Sequence, residues 1–288
     1  MSKAVARVVR RLKPARIGFE SGSTTVAQWE TLCERIKSAE LVPVDGLVEN
    51  LRMVKDRHEI AAIRRAIHQA ERGFEVLRAA LVGEMTERQA AFDLEHAMRR
   101  FGAKGSSFPI IVAAGARAAL PHGRPTDALL SGADFSLVDW GATSAEGYRS
   151  DLTRLIVTGK ISPKLEKVYR VVFTAQYRAI ESIRPGARCC DVDAVAREII
   201  ETSGFGRFSH SLGHGIGLDI HEGPRLAPSS NDELRPGMVV TVEPGIYLPG
   251  WGGVRIEDDV LVTQDGCELL TSIPKELEQA VIADFRRA

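Results

Sequence analysis

The order of helical and strand patterns along the chain is the feature that most limits its fold. Apolar residues recur at three- and four-residue steps from Asp56 to Leu81 and again after Thr86, which predicts two amphipathic helices. Short apolar segments typical of strands follow them. The same order, two helices and then strands, returns after Ser162. We therefore predict an α+β protein of two similar halves that share one curved antiparallel sheet with outer helices.

Local signals fix the ends of several elements. Thr86 with Gln89 three residues later is a capping box, which predicts a helix start. Ser162-Pro163 supplies an N-cap and a proline at the first helical position of a later helix. The tail from Ile273 contains acidic and basic residues, and we expect it to have few anchors.

Composition excludes several classes of protein. The 288 residues are 44% hydrophobic and contain 38 Lys+Arg against 38 Asp+Glu, which is typical of a globular protein with no field for nucleic acid. No apolar run approaches a membrane span, and the basic N-terminus lacks the apolar region of a signal peptide. The four cysteines form no C-x-x-C pair, which favours reduced thiols in the cytoplasm.

Residues 1–50 have the pattern of a separate, incomplete unit. Residues 16–20 and 40–45 resemble short strands, and residues 24–38 between them have a helical pattern. This strand-helix-strand has too little apolar surface for an independent core. We expect residues 51–288 to form the main domain.

Three histidines lie close together near the C-terminal third, at His210, His214 and His221. Glycines on both sides of His214 let the backbone approach a ligand. Neutral imidazole is a common metal ligand. Any one of these histidines could instead be an ordinary surface or core residue, but the three together favour a joint role.

Asp139 and Asp151 flank a predicted hairpin. They are equidistant from Ala145, so a tight loop near this residue would place them opposite each other on one face. Their apolar neighbours indicate that both carboxylates are buried. Because buried carboxylates repel each other unless one is protonated or a cation lies between them, the pair predicts a metal site.

Glu243 and Glu257 repeat this arrangement. They are equidistant from Gly250, which lies inside the strong turn sequence Pro249-Gly-Trp-Gly-Gly253. Any one of the four acids could be a solvated strand end. Two facing pairs, together with His214, favour a common site.

Four carboxylates and one imidazole form an oxygen-rich ligand set. This set suits Mn²⁺, Fe²⁺ or Co²⁺ better than a structural zinc. One carboxylate pair can bridge two cations about 3.5 Å apart, an arrangement that activates water and stabilises an oxyanion. The residues alone thus point to a metal centre that activates water.

From about Leu51 to the C-terminus the chain resembles the M24 metallopeptidases of the pita-bread fold, namely methionine aminopeptidase, aminopeptidase P and prolidase. The segments that carry the resemblance are Pro121-His122, Asp139 to Ala142, Gly147 to Arg154, His210 to Pro224, Val242 to Tyr247 and Val254 to Asp258. Each motif alone is modest, but jointly they are very specific. The resemblance implies two α+β halves around a dinuclear metal site.

The resemblance also implies which residues hold the two divalent cations. The ligands carried over are Asp139, Asp151, His214, Glu243 and Glu257. Asp151 and Glu257 would bridge the ions. Mn²⁺ is the first choice, with Co²⁺, Fe²⁺ or Zn²⁺ as alternatives.

The catalytic and substrate-binding roles follow from the same resemblance. Glu243 resembles the general base for the bridging water, and His221 the histidine that stabilises the tetrahedral intermediate. His122 resembles a residue that contacts the substrate near its amine. His210 resembles a pocket histidine near the P1′ residue, and Arg255 an arginine held behind the site.

Two segments resemble the Xaa-Pro branch more than methionine aminopeptidase: Leu218 to Glu222 and Arg255 to Asp258. Residues 1–50 then resemble the last part of an N-terminal α/β domain plus linker, and residues 51–288 the catalytic domain. The spacing from Asp139 to Asp151 is one residue longer than usual. We expect the extra residue in the turn, because an insertion in a strand would move one aspartate to the other face.

The resulting expectation is a metal-dependent exopeptidase that cleaves the N-terminal bond of Xaa-Pro peptides or dipeptides. Its partner is a peptide substrate, and the sequence leaves a homodimer open. The alternatives are a methionine aminopeptidase or another small-amide hydrolase, and a non-catalytic binding protein on the same fold. Binding proteins of that kind generally lose ligands, whereas this chain keeps all five.

Overall fold

The computed structural model describes residues 2–282 and residue 285. Its helices are α1 Ser2–Leu12, α2 Val26–Arg35, α3 Leu47–Met53, α4 Arg57–Ala80, α5 Glu87–Arg100, α6 Pro163–Ser182 and α7 Cys189–Thr202. Its strands are β1 Arg16–Glu20, β2 Glu40–Val44, β3 Gly105–Ser106, β4 Ile111–Ala114, β5 Phe135–Trp140, β6 Ala142–Thr143, β7 Leu152–Val157, β8 Gly213–Gly215, β9 Glu222–Leu226, β10 Val239–Val242, β11 Gly245–Leu248, β12 Gly252–Arg255, β13 Asp258–Val262 and β14 Cys267–Leu269. From α4 onward, two helices followed by strands occur twice, as the periodicity predicts.

The chain divides into two compact units, residues 1–51 and residues 52–288. In the first unit, β1 and β2 pair in parallel, with Arg16 opposite Glu40. The predicted strand-helix-strand is therefore present, and α1, which the sequence analysis did not predict, precedes it. Ala6, Val9 and Ile36 form a small buried cluster in this unit.

Side-chain caps start the long helices of the second unit. The Asp56 side chain accepts hydrogen bonds at the start of α4, where Glu59 completes a capping box. The predicted capping box of Thr86 and Gln89 is confirmed at the start of α5. Ser162 caps α6, whose first residue is Pro163 as predicted. None of the helices in the described part of the chain has the length together with the apolar character that a bilayer span needs.

Strands β4, β5 and β7 form a sheet whose two faces are both covered. Val138 and Trp140 lie in a cluster with apolar residues of α4 and α5, and the Trp140 indole donates to the Ala70 carbonyl over 3.0 Å. Leu137, on the other face, lies in a cluster with residues of α6 and α7. Because side chains alternate along a strand, Asp139 shares the face of Leu137. Asp139 in β5 and Asp151, immediately before β7, thus lie in or beside strands that are held in apolar surroundings.

The second half contains a five-stranded sheet in the order β14-β13-β10-β8-β9 and a separate β11-β12 hairpin. Every ladder between named strands in the range from β3 through β14 is antiparallel. The predicted antiparallel sheet is therefore divided into several ladders. A bridge between Thr153 and Glu257 links the three-stranded sheet to the second half, and it lies where the predicted acids meet.

The prediction that the tail from Ile273 has few anchors is wrong for residues 273–282, and residues 283, 284 and 286–288 lie outside the described part of the chain. Leu277 and Ala280 are buried, the Lys275 ammonium lies 2.7 Å from Asp258, and the Tyr169 hydroxyl donates to the Lys275 carbonyl over 2.7 Å. Leu277 and Ala280 join one apolar cluster, and Ile273, Ile282 and Phe285 pack against another, so the anchors are both apolar and polar but irregularly spaced. A search for apolar periodicity does not detect them.

Candidate metal centre

The first acidic pair lies on one face, but not in the predicted register. Asp139 is directly opposite Thr153, not Asp151, so the prediction of direct opposition is wrong. The hairpin is centred on Glu146 rather than Ala145, because the turn closes from the Gly147 N–H to the Ser144 carbonyl over 3.0 Å. A one-residue shift of the centre moves the partner by two positions, which keeps both aspartates on the same face.

The second acidic pair has the predicted register. Gly245 pairs with Arg255, and Val242 pairs with Asp258. In each of these two residue pairs the partners are equidistant from Gly250 in sequence. Glu243 and Glu257 therefore face each other between the β11–β12 ladder and the β10–β13 ladder. The predicted turn is also present, since the Trp251 N–H donates to the Leu248 carbonyl over 3.0 Å.

His214 presents one ring nitrogen to these acids. Its Nδ1 lies 3.1 Å from the Gly215 carbonyl, which can only accept, so Nδ1 carries the proton. Its Nε2 then has a free lone pair, 3.6 Å from Asp151 Oδ2 and 3.5 Å from Glu243 Oε1. Burial lowers the pKa of His214 to about 3, which keeps the imidazole neutral. A neutral imidazole with its lone pair facing carboxylates is ready to ligate a metal.

Asp151, His214 and Glu257 each offer a ligand atom, and these atoms lie within 4.8 Å of one another. Burial raises the pKa of Asp151 and of Glu257 well above the usual range, and neighbouring carboxylates raise both further. Burial also raises the pKa of Glu243 to about 8. Such repulsion is relieved when a cation lies between the groups.

Two carboxylate oxygens at this site have the properties of cation ligands. Asp139 Oδ1 and Asp151 Oδ1 are buried and have no hydrogen-bond partner within the described chain. An unpartnered buried carboxylate oxygen is costly unless it is paired or coordinates a metal. The donor set and its two open oxygens therefore fit a divalent cation.

Asp139 stands slightly apart from the cluster of Asp151, His214 and Glu257. Its Oδ2 forms an ion pair with Arg255, so only Oδ1 is open. Arg255 Nε also donates to the Thr153 hydroxyl over 3.1 Å, and that hydroxyl donates to Glu257 Oε2 over 2.6 Å. Arg255 thus contacts Asp139 directly and Glu257 through the Thr153 hydroxyl, so it holds one acid of each pair.

The acids open onto a cavity of 930 Å³. His122, His210 and His221 all line it. The His221 ring lies 4.5 Å from that of His214, and His210 Nε2 lies 3.0 Å from the Tyr247 hydroxyl. Burial lowers the pKa of His210 to about 4 and also lowers the pKa of His221. The structure therefore brings every residue of the predicted site to one cavity.

Polar side chains behind the metal centre were missed by the sequence analysis. The Asp151 N–H donates to Asp259 Oδ2 over 3.1 Å. Arg154 donates to the Glu257 carbonyl over 2.6 Å and pairs with Asp258 at 2.6 Å. Both aspartates are buried in an apolar strand. In the sequence, two acids directly before the apolar run Val260-Leu261-Val262 could have indicated buried carboxylates.

A second support lies on α7. The Leu212 N–H donates to Asp193 Oδ1 over 3.0 Å, and Arg197 donates to the Phe208 and His210 carbonyls over 2.9 and 3.0 Å. Asp193 and Arg197 also pair with each other at 2.7 Å. This pair holds the backbone that leads into His214, and nothing in its sequence signals that role.

Arg225 was also missed. It pairs with His214 across β8 and β9 and lines the same cavity. Its side chain is exposed, and the described residues provide no hydrogen-bond or ion-pair partner for its guanidinium. The cavity therefore combines buried acids with exposed cations, since Arg124, whose guanidinium also has no such partner among the described residues, lines it as well.

The model of metallopeptidase family M24 matches residues 61–264. The chain belongs to metallopeptidase family M24. The creatinase/prolidase N-terminal domain model matches residues 2–54 of this M24 chain. The pita-bread fold and the peptidase class predicted from the sequence are thereby confirmed.

Named relatives in family M24 extend over most of the chain. A Xaa-Pro dipeptidase of Pyrococcus furiosus is 39% identical over 262 residues, which are 91% of this chain and 75% of that protein. The solved Xaa-Pro dipeptidase from Bacillus anthracis has a TM-score of 0.92 and 44% identity, and the match covers 96% of this chain and 78% of that one. The solved X-Pro aminopeptidase from Thermotoga maritima has a TM-score of 0.88 and 38% identity, with 96% and 78% covered.

Proposed function

We propose that this M24 peptidase hydrolyses the bond between the first residue and proline in Xaa-Pro dipeptides and peptides. The observation that carries the proposal is the convergence of Asp151, His214 and Glu257, with two open carboxylate oxygens, in one cavity. The relatives named Xaa-Pro dipeptidase support the substrate class. In this proposal residues 51–288 are the catalytic domain, and residues 1–50 are part of an N-terminal α/β domain plus linker.

The proposed cofactor is a pair of divalent cations, with Mn²⁺ as the first choice because the ligand set is rich in oxygen. The residues that would hold them are Asp139, Asp151, His214, Glu243 and Glu257. When bound, the cations supply a polarised water molecule and positive charge for the developing oxyanion. Ion pairing of Asp139 with Arg255 leaves Oδ1 of that carboxylate for a cation.

The side chains around the cations have separate proposed roles. Glu243 accepts the proton of the attacking water at its carboxylate and later donates it to the leaving nitrogen. His221, beside His214, donates a hydrogen bond to the carbonyl oxygen as negative charge develops there. His122 contacts the amine side of the substrate. His210, held by Tyr247, borders the proline side.

Arg225 is the proposed partner of the dipeptide carboxylate, because it is an unpaired cation on the wall of the cavity. We expect Arg225→Met to raise KM for an Xaa-Pro dipeptide by about 10- to 100-fold, since one charge-assisted hydrogen bond is worth about 1.5–3 kcal/mol. The effect is measured by steady-state kinetics on the dipeptide with a free C-terminal carboxylate and on the same dipeptide with a C-terminal amide. Equal losses on both substrates would contradict the role.

The substrate class is tested by comparing two dipeptide series with added Mn²⁺. We expect release of proline from Ala-Pro and Met-Pro, and a kcat/KM at least about 100-fold lower for Met-Ala. Preference for Met-Ala would instead indicate a methionine aminopeptidase. Binding of Ala-Pro without cleavage would indicate a binding protein.

Cytoplasmic location and a homodimer are further proposals. Cys33, Cys189, Cys190 and Cys267 are all free thiols, which fits a reducing compartment. The molar mass in solution, measured by light scattering, tests the dimer against the 31.4 kDa of one chain.

A further inference from the structure

A second pocket opens beside the active-site cavity. It measures 470 Å³, within the range of about 300–1,000 Å³ that is usual for ligand sites. The two spaces share three wall residues, His210, Ser211 and Arg225. The far wall of the second pocket includes Ala227, Pro228 and Ser229. A chain that passes His210 and Arg225 therefore leaves the metal centre and enters this pocket.

We propose that this second pocket binds the residues that follow proline in Xaa-Pro peptides longer than a dipeptide. The inference rests on the proposed Xaa-Pro activity and defines the length of its substrate. On this view the enzyme is both a dipeptidase and an aminopeptidase for short peptides. Solved structures of both kinds resemble the chain to a similar degree.

The distribution of charge sets the direction of the bound peptide. A free N-terminal amine is positive, so Arg225 repels it, whereas the substrate carboxylate is attracted to Arg225. The C-terminal side of the substrate is therefore the side that reaches Arg225. A dipeptide ends there with its carboxylate, whereas a longer peptide continues past Arg225 into the second pocket.

The lining of the second pocket suits a peptide backbone. The hydroxyls of Ser209, Ser211 and Ser229 make no hydrogen bond to any other residue that the structure describes, so they are free to bind peptide N–H and C=O groups. Arg197 also lines the pocket, but Asp193 and two carbonyls already occupy its guanidinium. An exposed carboxylate, Asp232, also lines the pocket. We therefore expect little preference for the side chains after proline, except that acidic ones are disfavoured.

The experiment fills the pocket and compares substrates by length. Ser229→Trp and, independently, Ser209→Trp place an indole in the pocket from exposed positions, and Ser229→Thr is the control that keeps a hydroxyl and most of the space. Each protein is assayed with Mn²⁺ on Ala-Pro and on Ala-Pro-Ala-Ala. We expect both tryptophan variants to lower kcat/KM for the tetrapeptide by about 10-fold or more and to keep dipeptide hydrolysis within about twofold.

The dipeptide serves as the internal measure of folding and metal loading. Parallel losses on the two substrates, or no loss on the tetrapeptide, would overturn the assignment of the pocket. A wild-type enzyme that cleaves Ala-Pro but not Ala-Pro-Ala-Ala would overturn it as well. If wild type cleaves neither peptide, the proposed Xaa-Pro activity itself fails, which is a distinct result.

Discussion

Glu243→Gln is expected to lower kcat for Ala-Pro by about 10²–10⁴-fold while the fold is retained. Glutamine has the shape of glutamate but cannot accept the proton of the attacking water. Glu243 lies 3.5 Å from the ligand nitrogen of His214 and lines the cavity, so its carboxylate is placed beside the proposed attacking water. Steady-state kinetics give kcat, and the thermal midpoint of unfolding, measured on the same preparation, shows whether the fold is retained.

The matched control for this substitution is Glu198→Gln, an exposed glutamate on α7 that lines neither pocket. It should leave kcat unchanged. Metal content must be measured on both variants, because Glu243 is also a proposed ligand. Full metal content with normal kcat in Glu243→Gln would refute the role in proton transfer.

Removal of divalent metal by a chelator is expected to abolish hydrolysis and to destabilise the fold. Without a cation, Asp151 and Glu257 remain buried beside each other, and burial together with the repulsion of neighbouring carboxylates raises their pKa values. Restoring Mn²⁺ at 100 times its Kd should add about 2.7 kcal/mol to the free energy of unfolding. Thermal melts with and without Mn²⁺ measure the difference.

His214→Ala should remove most of this Mn²⁺-dependent stabilisation, because it deletes the nitrogen that faces Asp151 and Glu243. The control is His68→Ala, which changes an exposed histidine of α4. Atomic absorption on the two dialysed variants gives their metal content. An identical metal content and melt shift in both would show that another residue holds the ion.

The sequence predicts the acids of the site well because the acids of each pair are separated by only one short hairpin. Glu243 and Glu257 are related by a single hairpin, and a strong turn at Gly250 fixes their register. The pairing of Asp139 was predicted incorrectly because its turn is weaker. No residue pattern distinguishes a centre at Ala145 from one at Glu146, and a one-residue error changes the partner from Asp151 to Thr153.

The residues that position the acids could not be predicted in the same way. Thr153, Asp193 and Arg197 act through contacts with distant segments, and each belongs to a common residue type with no motif of its own. Arg225 differs, since its lack of a partner becomes visible only when its neighbours are known. Long-range packing, not local propensity, determines these positions.

The ion pair of Lys275 and Asp258 links a distant segment of the chain to the metal centre. Asp258 is buried between Arg154 and Lys275, and the lysine follows it by 17 residues. Glu257 immediately precedes Asp258, and Arg154 also donates to the Glu257 carbonyl. The two basic side chains therefore hold the backbone beside a proposed metal ligand, so the segment around Lys275 helps to fix the position of that ligand.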